Sequence, residues 1–182
     1  MRVIAGKFKG RVLQSAGDST RPTLDRTKET LFNILQMRIA NAVVLDLFAG
    51  SGQLAIECLS RGASRAILCD NDRIAQQAIK SNFQKIGIAP ELYSCSYKSC
   101  LANLSQQMLD IVFVDPPYAS AYYQDVLETV DRMQLLTQNG IVVCEHGVDV
   151  TLPDLVGNLR AYDQRKIGSV KFTFYKRREL CQ

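Results

Sequence analysis

The chain has 182 residues, 47% of them hydrophobic and 22% charged, with a net charge of +4; that is the size and balance of one soluble globular domain with a full core. No apolar run approaches the ~20 residues that span a bilayer, and the start Met1-Arg2-Val3 leads into no signal-peptide core, so neither membrane nor export is expected. Six scattered cysteines form no Cys-x-x-Cys pair and His146 is the single histidine, which argues against a metal centre and for buried thiols in a reducing cytoplasm.

The charge is unevenly spread. Residues 1–38 carry eight Lys/Arg against three Asp/Glu, residues 39–159 seven against thirteen, and residues 160–182 seven against two. An acidic centre between basic ends suits a catalytic core whose ends grip a polyanion, although two solvated lysine-rich surfaces would give the same pattern.

In chain order, Arg2–Leu13 has two short apolar runs about a glycine-containing turn and predicts a β-hairpin. Its basic residues Arg2, Lys7, Lys9 and Arg11 surround Phe8, a mixture that can pair with phosphate and stack on a base. The plainer reading is an edge hairpin whose lysines discourage aggregation. Gln14–Arg21 is polar, and Arg21-Pro22-Thr23-Leu24 should be extended. Asp25 can cap a helix from Arg26 to about Arg38, with Leu31, Ile34 and Leu35 as its buried stripe and Phe32 and Met37 beside it.

Val43-Val44-Leu45-Asp46-Leu47 reads as a strand buried on both faces. The turn Phe48-Ala49-Gly50-Ser51-Gly52 then opens a helix to about Ser60, closed at Gly62. Gly50 and Gly52 would let an adenosine ligand approach backbone N–H groups left free at the helix start. Strand Ala66–Asp70 follows, then a helix from Arg73 to Ile86 with Asp72 as cap and Gly87 as stop. Next come strand Glu91–Cys95, helix Tyr97–Gln107, strand Met108–Asp115 and helix Tyr122–Leu136. Asn139-Gly140 should turn into strand Ile141–Glu145, and Arg160–Lys166 with Val170–Tyr175 should close the chain as an antiparallel hairpin about Gly168-Ser169. This alternation is that of a doubly wound α/β sheet with helices on both faces, so Asp46, Asp70, Ser96 and Asp115 should line one strand-end edge.

Two stretches carry chemistry. Gly50-Ser51-Gly52-Gln53-Leu54-Ala55, with Asp70 about 20 residues on, fits a dinucleotide or adenosine loop, Asp70 suiting ribose hydroxyls. Asp115-Pro116-Pro117-Tyr118 ends a strand in a carboxylate, two donor-free prolines that stiffen the turn, and an aromatic ring. A carboxylate beside a rigid carbonyl matches the two hydrogens of an exocyclic amino group, holding its nitrogen toward an electrophile; Tyr118 can stack on the base. A sulfonium methyl from S-adenosylmethionine in the glycine turn would be that electrophile, with Asp46 receiving the methionine amino end.

Asp46-Leu47-Phe48-Ala49-Gly50-Ser51-Gly52 and Asp115-Pro116-Pro117-Tyr118 resemble the cofactor and catalytic motifs of class I amino-methyltransferases. With Arg2–Arg11, Arg21–Asn33 and Leu59-Ser60-Arg61-Gly62-Ala63, the chain is similar nearly throughout to the bacterial RsmD-type guanine-N2 methyltransferases of small-subunit (16S) ribosomal RNA. The resemblance implies a single domain over 1–182: an N-terminal hairpin and loop at 1–20 and a Rossmann-like core at 21–182. It also implies S-adenosylmethionine as cofactor, held by Asp46, Phe48, Gly50, Ser51, Gly52, Asp70, Asn71 and Ser96, and one methyl transfer to guanine N2 by Asp115, Pro116, Pro117 and Tyr118. The RNA, in the small subunit or its assembly intermediate, would be gripped by Arg2, Lys7, Phe8, Lys9 and Arg11, with the enzyme a monomer. Gln53 stands where a small residue is usual, and Ser96 where an acid or amide commonly meets the adenine. The rivals are an adenine-N6 DNA methyltransferase, which the same catalytic turn would serve, a protein glutamine-N5 methyltransferase, an NAD oxidoreductase and a non-catalytic RNA-binding assembly factor.

Overall fold

The computed structural model describes residues 1–16, 25–117 and 121–178. The first regular element is α1 (Asp25–Ile39), followed by β1 (Val43–Asp46), α2 (Gln53–Ser60), β2 (Arg65–Cys69), α3 (Arg73–Ile86) and β3 (Glu91–Tyr93). Then come α4 (Tyr97–Asn103), β4 (Leu109–Val114), α5 (Ala121–Arg132), β5 (Leu136–Gly147), β6 (Leu155–Val156), β7 (Leu159–Ile167) and β8 (Val170–Arg177). The strands form one sheet in the order β3-β2-β1-β4-β5-β8-β7-β6. Pairs within β3-β2-β1-β4-β5 are parallel, whereas β8 runs antiparallel to β5 and β7.

Alternating strand residues feed two cores. Leu45, Ile67, Val112, Val114, Val142 and Cys144 face α4 and α5 through Cys100, Leu101, Val126, Leu127 and Val130. Val44, Ile111, Phe113, Ile141 and Val143 face α1 and α2 through Leu31, Phe32, Leu35, Leu54 and Cys58. Ala66 and Leu68 pack with Ile79, Phe83 and Ile86 of α3. This is the helix-covered sheet read from the sequence.

Several boundaries differ. The stripe of α1 is Leu31, Phe32, Leu35 and Ile39, while Ile34 is exposed and Met37 is 90% exposed. Helices α4 and α5 stop earlier than their apolar pattern suggests, at Asn103 and Arg132. Asn139-Gly140 does not precede β5 but lies inside it: Leu109 pairs with Leu136 and Ile111 with Ile141, so residues 137–140 bulge out. A Cβ on Gly140 would stand 2.6 Å from the Leu109 carbonyl oxygen, so glycine here answers a close strand approach.

The N-terminal hairpin is minimal, one antiparallel bridge between Arg2 and Val12. Its anchor is Glu57, 0% exposed in α2. That carboxylate accepts from the Ile4 and Ala5 amides at 2.8 and 3.0 Å and from Arg61 Nε at 2.8 Å, with Lys28 Nζ at 3.9 Å. Lys28 in turn donates to the Arg2 carbonyl at 2.7 Å. Glu57→Ala would leave the Ile4 and Ala5 amides without their acceptor and remove the buried carboxylate that Arg61 and Lys28 face. It is expected to destabilise the fold by about 3–5 kcal/mol in urea denaturation.

Candidate functional site

The strand order reverses at β1, whose neighbours β2 and β4 leave on opposite sides, so a crevice opens beyond the carboxyl ends of β1 and β4. The loop after β1 is pinned by its own backbone. Leu47 N donates to Phe113 O at 3.1 Å, Ala49 N to Cys69 O at 2.9 Å and Gly52 N to Ala49 O at 2.7 Å. Gly50 N donates to Asp70 Oδ2 at 2.8 Å. Asp70 Oδ1 accepts from Asp72 N at 2.9 Å, while Asp72 caps α3 through Ile74 N and Ala75 N. Gly50 and Asp70, 20 residues apart, are thus one unit.

The glycine turn is less open than expected, since the amides of Ala49, Gly50 and Gly52 are engaged within the protein, while the start of α2 has no side-chain cap. Gly52 has φ +74°, and a Cβ there would press on Leu68, Phe83 and Ile79 at 3.1–3.4 Å. Its lack of a side chain serves the packing of α2 on β2 and α3. What the loop offers a ligand is shape and the lone pairs that Asp70 retains, since each carboxylate oxygen can accept twice. Ser51 is buried, its carbonyl held by Asn82 Nδ2 at 2.9 Å. Asn71 is exposed beside Asp70.

Three carboxylates converge beyond the strand ends. Asp46 closes β1, Asp115 follows β4, and Glu145 lies on β5 one residue past the Val114–Cys144 pair. By strand alternation all three share the face of Val44, Phe113 and Val143. Asp46 is 2% exposed, and burial, with the Asp115 charge second, pushes its carboxyl up to about 7; the Ala55 amide at the start of α2 opposes this. Asp115 is exposed to solvent on its open side, while protein packed densely around the rest of it raises its carboxyl to about 6 by desolvation. Burial and then Asp115 push Glu145 up to about 8. Burial also raises Asp70.

Among the described residues, Asp46 Oδ2, Gln53 Oε1 and Glu145 Oε2 are buried acceptors without a hydrogen-bond partner. Buried acceptors are otherwise nearly always satisfied, so this edge is built for a ligand that brings N–H donors or positive charge. A methionine ammonium beside a sulfonium has that character. Pro116 is buried and Pro117 exposed, while Tyr118 lies outside the described residues.

An aromatic cluster forms at the strand ends on the α4/α5 side of the sheet. Phe48, from the loop after β1, has its ring centroid 5.5 Å from Tyr97 at the start of α4 and 5.9 Å from Tyr122 at the start of α5; Tyr97 and Tyr122 are 5.5 Å apart. The Tyr97 hydroxyl donates to Asp125 at 2.7 Å, which fixes the ring. Sequence reading singled out Phe48 but not the two tyrosines; each stands just past a motif, where a strand end delivers it to the same edge. Ser96 is exposed and accepts from Ser99 N at 3.3 Å as the N-cap of α4, so its first task is local. A pocket of about 440 Å³ opens elsewhere, between α5 and Leu152-Pro153. It contains neither the glycine loop nor the acids, so its volume does not mark the site.

The chain matches the model of the family described as "Conserved hypothetical protein 95" over residues 1–176. It belongs to this family. YlbH of Bacillus subtilis is 38% identical over 183 residues, 98% of this chain and 100% of that one. Ribosomal RNA small subunit methyltransferase D of Escherichia coli is 34% identical over 182 residues, 97% of this chain and 90% of that one. The solved structure of Escherichia coli yhhF superposes with a TM-score of 0.86 at 33% identity over 97% of both chains. As a member of the Conserved hypothetical protein 95 family, the chain is a methyltransferase with a Rossmann-like fold.

In this family member the basic N-terminal residues Arg2, Lys7, Lys9 and Arg11 are exposed. Phe8 is not available to stack on a base: it is 8% exposed and packs with Val3, Leu13, Ile56 and Phe83. Its ring anchors the segment, and Lys7 Nζ sits 5.5 Å from its centroid. The segment reaches the cofactor loop, with Met1 Sδ 4.0 Å from Ser51 Oγ. Asn82 joins Gln14 to the Ser51 carbonyl. Sequence reading missed Glu57 and Asn82 because an acid and an amide on helices look like solvated residues until the partner segment is seen. Cys58, Cys69, Cys95, Cys100 and Cys144 are free thiols, and Cys181 lies outside the described residues. Among the described residues no helix is long and apolar enough to cross a membrane.

Proposed function

We propose that this methyltransferase transfers the methyl group of S-adenosylmethionine to the exocyclic N2 of one guanine in small-subunit ribosomal RNA. The observation that carries the reading is the set of acceptors at the switch point, with Asp115 and its donor-free prolines near Asp46, whose Oδ2 has no partner among the described residues. The ribosomal RNA substrate is supported by the name of the Escherichia coli relative and by the basic ends of this chain.

The bound cofactor supplies an electrophilic methyl; the residues do the rest. Asp46 receives the cofactor's ammonium end. Asp70, fixed by the Gly50 and Asp72 amides, accepts from the ribose hydroxyls, with Asn71 beside it. Phe48, with Tyr97, gives the adenine an apolar wall, and Ser96 bounds it. Gly50, Ser51 and Gly52 set the loop's shape. Asp115 and the Pro116 carbonyl accept from the two N2 hydrogens, orienting the amine and stabilising the positive charge that grows on it. Pro117 stiffens the turn and Tyr118 stacks on the extruded base. Arg2, Lys7, Lys9 and Arg11 grip phosphates and position rather than select. The chain acts as one domain and one monomer, in the cytoplasm, on the small subunit or its assembly intermediate.

Labelled S-adenosylmethionine offered with undermethylated small subunits, naked ribosomal RNA, duplex DNA and a protein extract tests this. N2-methylguanosine on subunit or RNA is the expected product. N6-methyladenine, or label only on protein, would overturn the substrate.

A further inference from the structure

Glu145 has no task in the transfer just described, yet its position is as marked as that of Asp115. Register pairs Val114 with Cys144, so Asp115 and Glu145 are the next residues on neighbouring parallel strands, whose backbones run about 4.8 Å apart. Both side chains belong to the same face. On its other side Glu145 pairs with Phe172 of β8, whose ring offers no donor. Two cations of that hairpin flank Phe172 in register, Arg165 paired to Asp163 and Lys171, opposite His146, on the other face. The Tyr123 hydroxyl donates at 2.6 Å to the Glu145 backbone carbonyl and leaves the carboxylate alone. Glu145 Oε2 is buried and unpartnered among the described residues.

Two neighbouring carboxylates make an acceptor wall, and base edges differ in what they bring to one. Guanine presents N1–H beside its N2 amino group, donors only. Adenine presents its N6 amino group beside N1, an acceptor whose lone pair would face the second carboxylate. Asp115 alone fits either amino group. Resting on the guanine-N2 reading above, we propose that Glu145 is a specificity-determining residue of the base pocket, its carboxylate accepting the guanine N1–H while Asp115 accepts from N2. Burial favours a proton on Glu145 before the base arrives, and a donor at Oε2 favours its release. A polar site of this kind rejects a base lacking the matching N–H, because the carboxylate is then buried against a lone pair.

The test uses the RNA or reconstituted particle methylated by the wild-type enzyme, carrying either guanine or 2-aminopurine at the target. 2-Aminopurine keeps the 2-amino group but has a lone pair at N1. Single-turnover rates on both substrates are compared for wild type, Glu145→Gln and Glu145→Ala, with folding checked by thermal melting. The wild type should favour guanine by on the order of 10²-fold or more. Glu145→Gln, whose amide can donate to N1, should slow guanine, speed 2-aminopurine and compress the ratio at least tenfold; Glu145→Ala should compress it by slowing guanine alone. A purely structural role would slow both substrates together and leave the ratio intact, which overturns the inference while the guanine-N2 reading stands. Absence of N2-methylguanosine from the wild type overturns both.

Discussion

Replacing Asp115 by alanine is expected to slow methyl transfer by on the order of 10²–10³-fold while cofactor affinity changes only a few-fold. The asymmetry follows from position. Asp115 opens toward the crevice, whereas Asp46 and Asp70 are tied into the glycine loop and the start of α3. An exocyclic amine is a poor nucleophile because its lone pair is delocalised into the ring, so removing the acceptor that orients it acts on the transition state. The carboxylate form, acceptor-only and negatively charged, is the one that holds the amine hydrogen strongly and stabilises the charge that grows on the nitrogen. With its carboxyl raised to about 6, the wild-type rate should fall about tenfold per pH unit as pH drops below that value, and the alanine variant should lack this limb. Single-turnover rates against pH, with cofactor affinity measured separately, check both statements. Equal loss of rate and cofactor affinity would make Asp115 a cofactor ligand instead.

The features readable in the sequence were those with local causes. Helix α3 begins and ends where the Asp72 cap and Gly87 put it, because a capping carboxylate and a residue at φ +73° act within one turn. Asp46, Asp70 and Asp115 were placed at one edge because each ends an apolar strand and parallel crossovers share a direction. What stayed hidden depends on distant neighbours. Glu145 gains meaning only once β5 lies beside β4. Phe8 looked like a stacking residue until α2 and α3 were seen to bury it, and Asn139-Gly140 looked like a turn until Leu109 was seen pressing on it. The return of β8 between β5 and β7 likewise follows from no local signal.

Asp46→Asn is expected to do two opposite things, stabilising the ligand-free protein above neutral pH and removing most of its cofactor affinity. The folded state raises this carboxyl from 3.8 to about 7, so between those values it holds a proton that the unfolded chain releases. Stability therefore falls as pH rises through that window, by roughly 4 kcal/mol in all at about 1.4 kcal/mol per unit. Asparagine keeps the shape without the titration. The variant should match the wild type near pH 4 and melt higher by about 8–15 °C at pH 8, at ~2–4 °C per kcal/mol for a chain of this size. The strain that asparagine relieves is what a cation at Oδ2 would offset, so S-adenosylmethionine should raise the wild-type melting temperature more at pH 8 than at pH 6 and barely move the variant. S-Adenosylhomocysteine separates the two positive centres, since it keeps the ammonium and lacks the sulfonium charge. If Asp46 meets the ammonium, both ligands lose affinity alike in the variant; if it meets the sulfonium, only S-adenosylmethionine does. Parallel melting curves for wild type and variant across pH would show that Asp46 finds a partner in solution, and the cofactor role assigned to it would fall with that result.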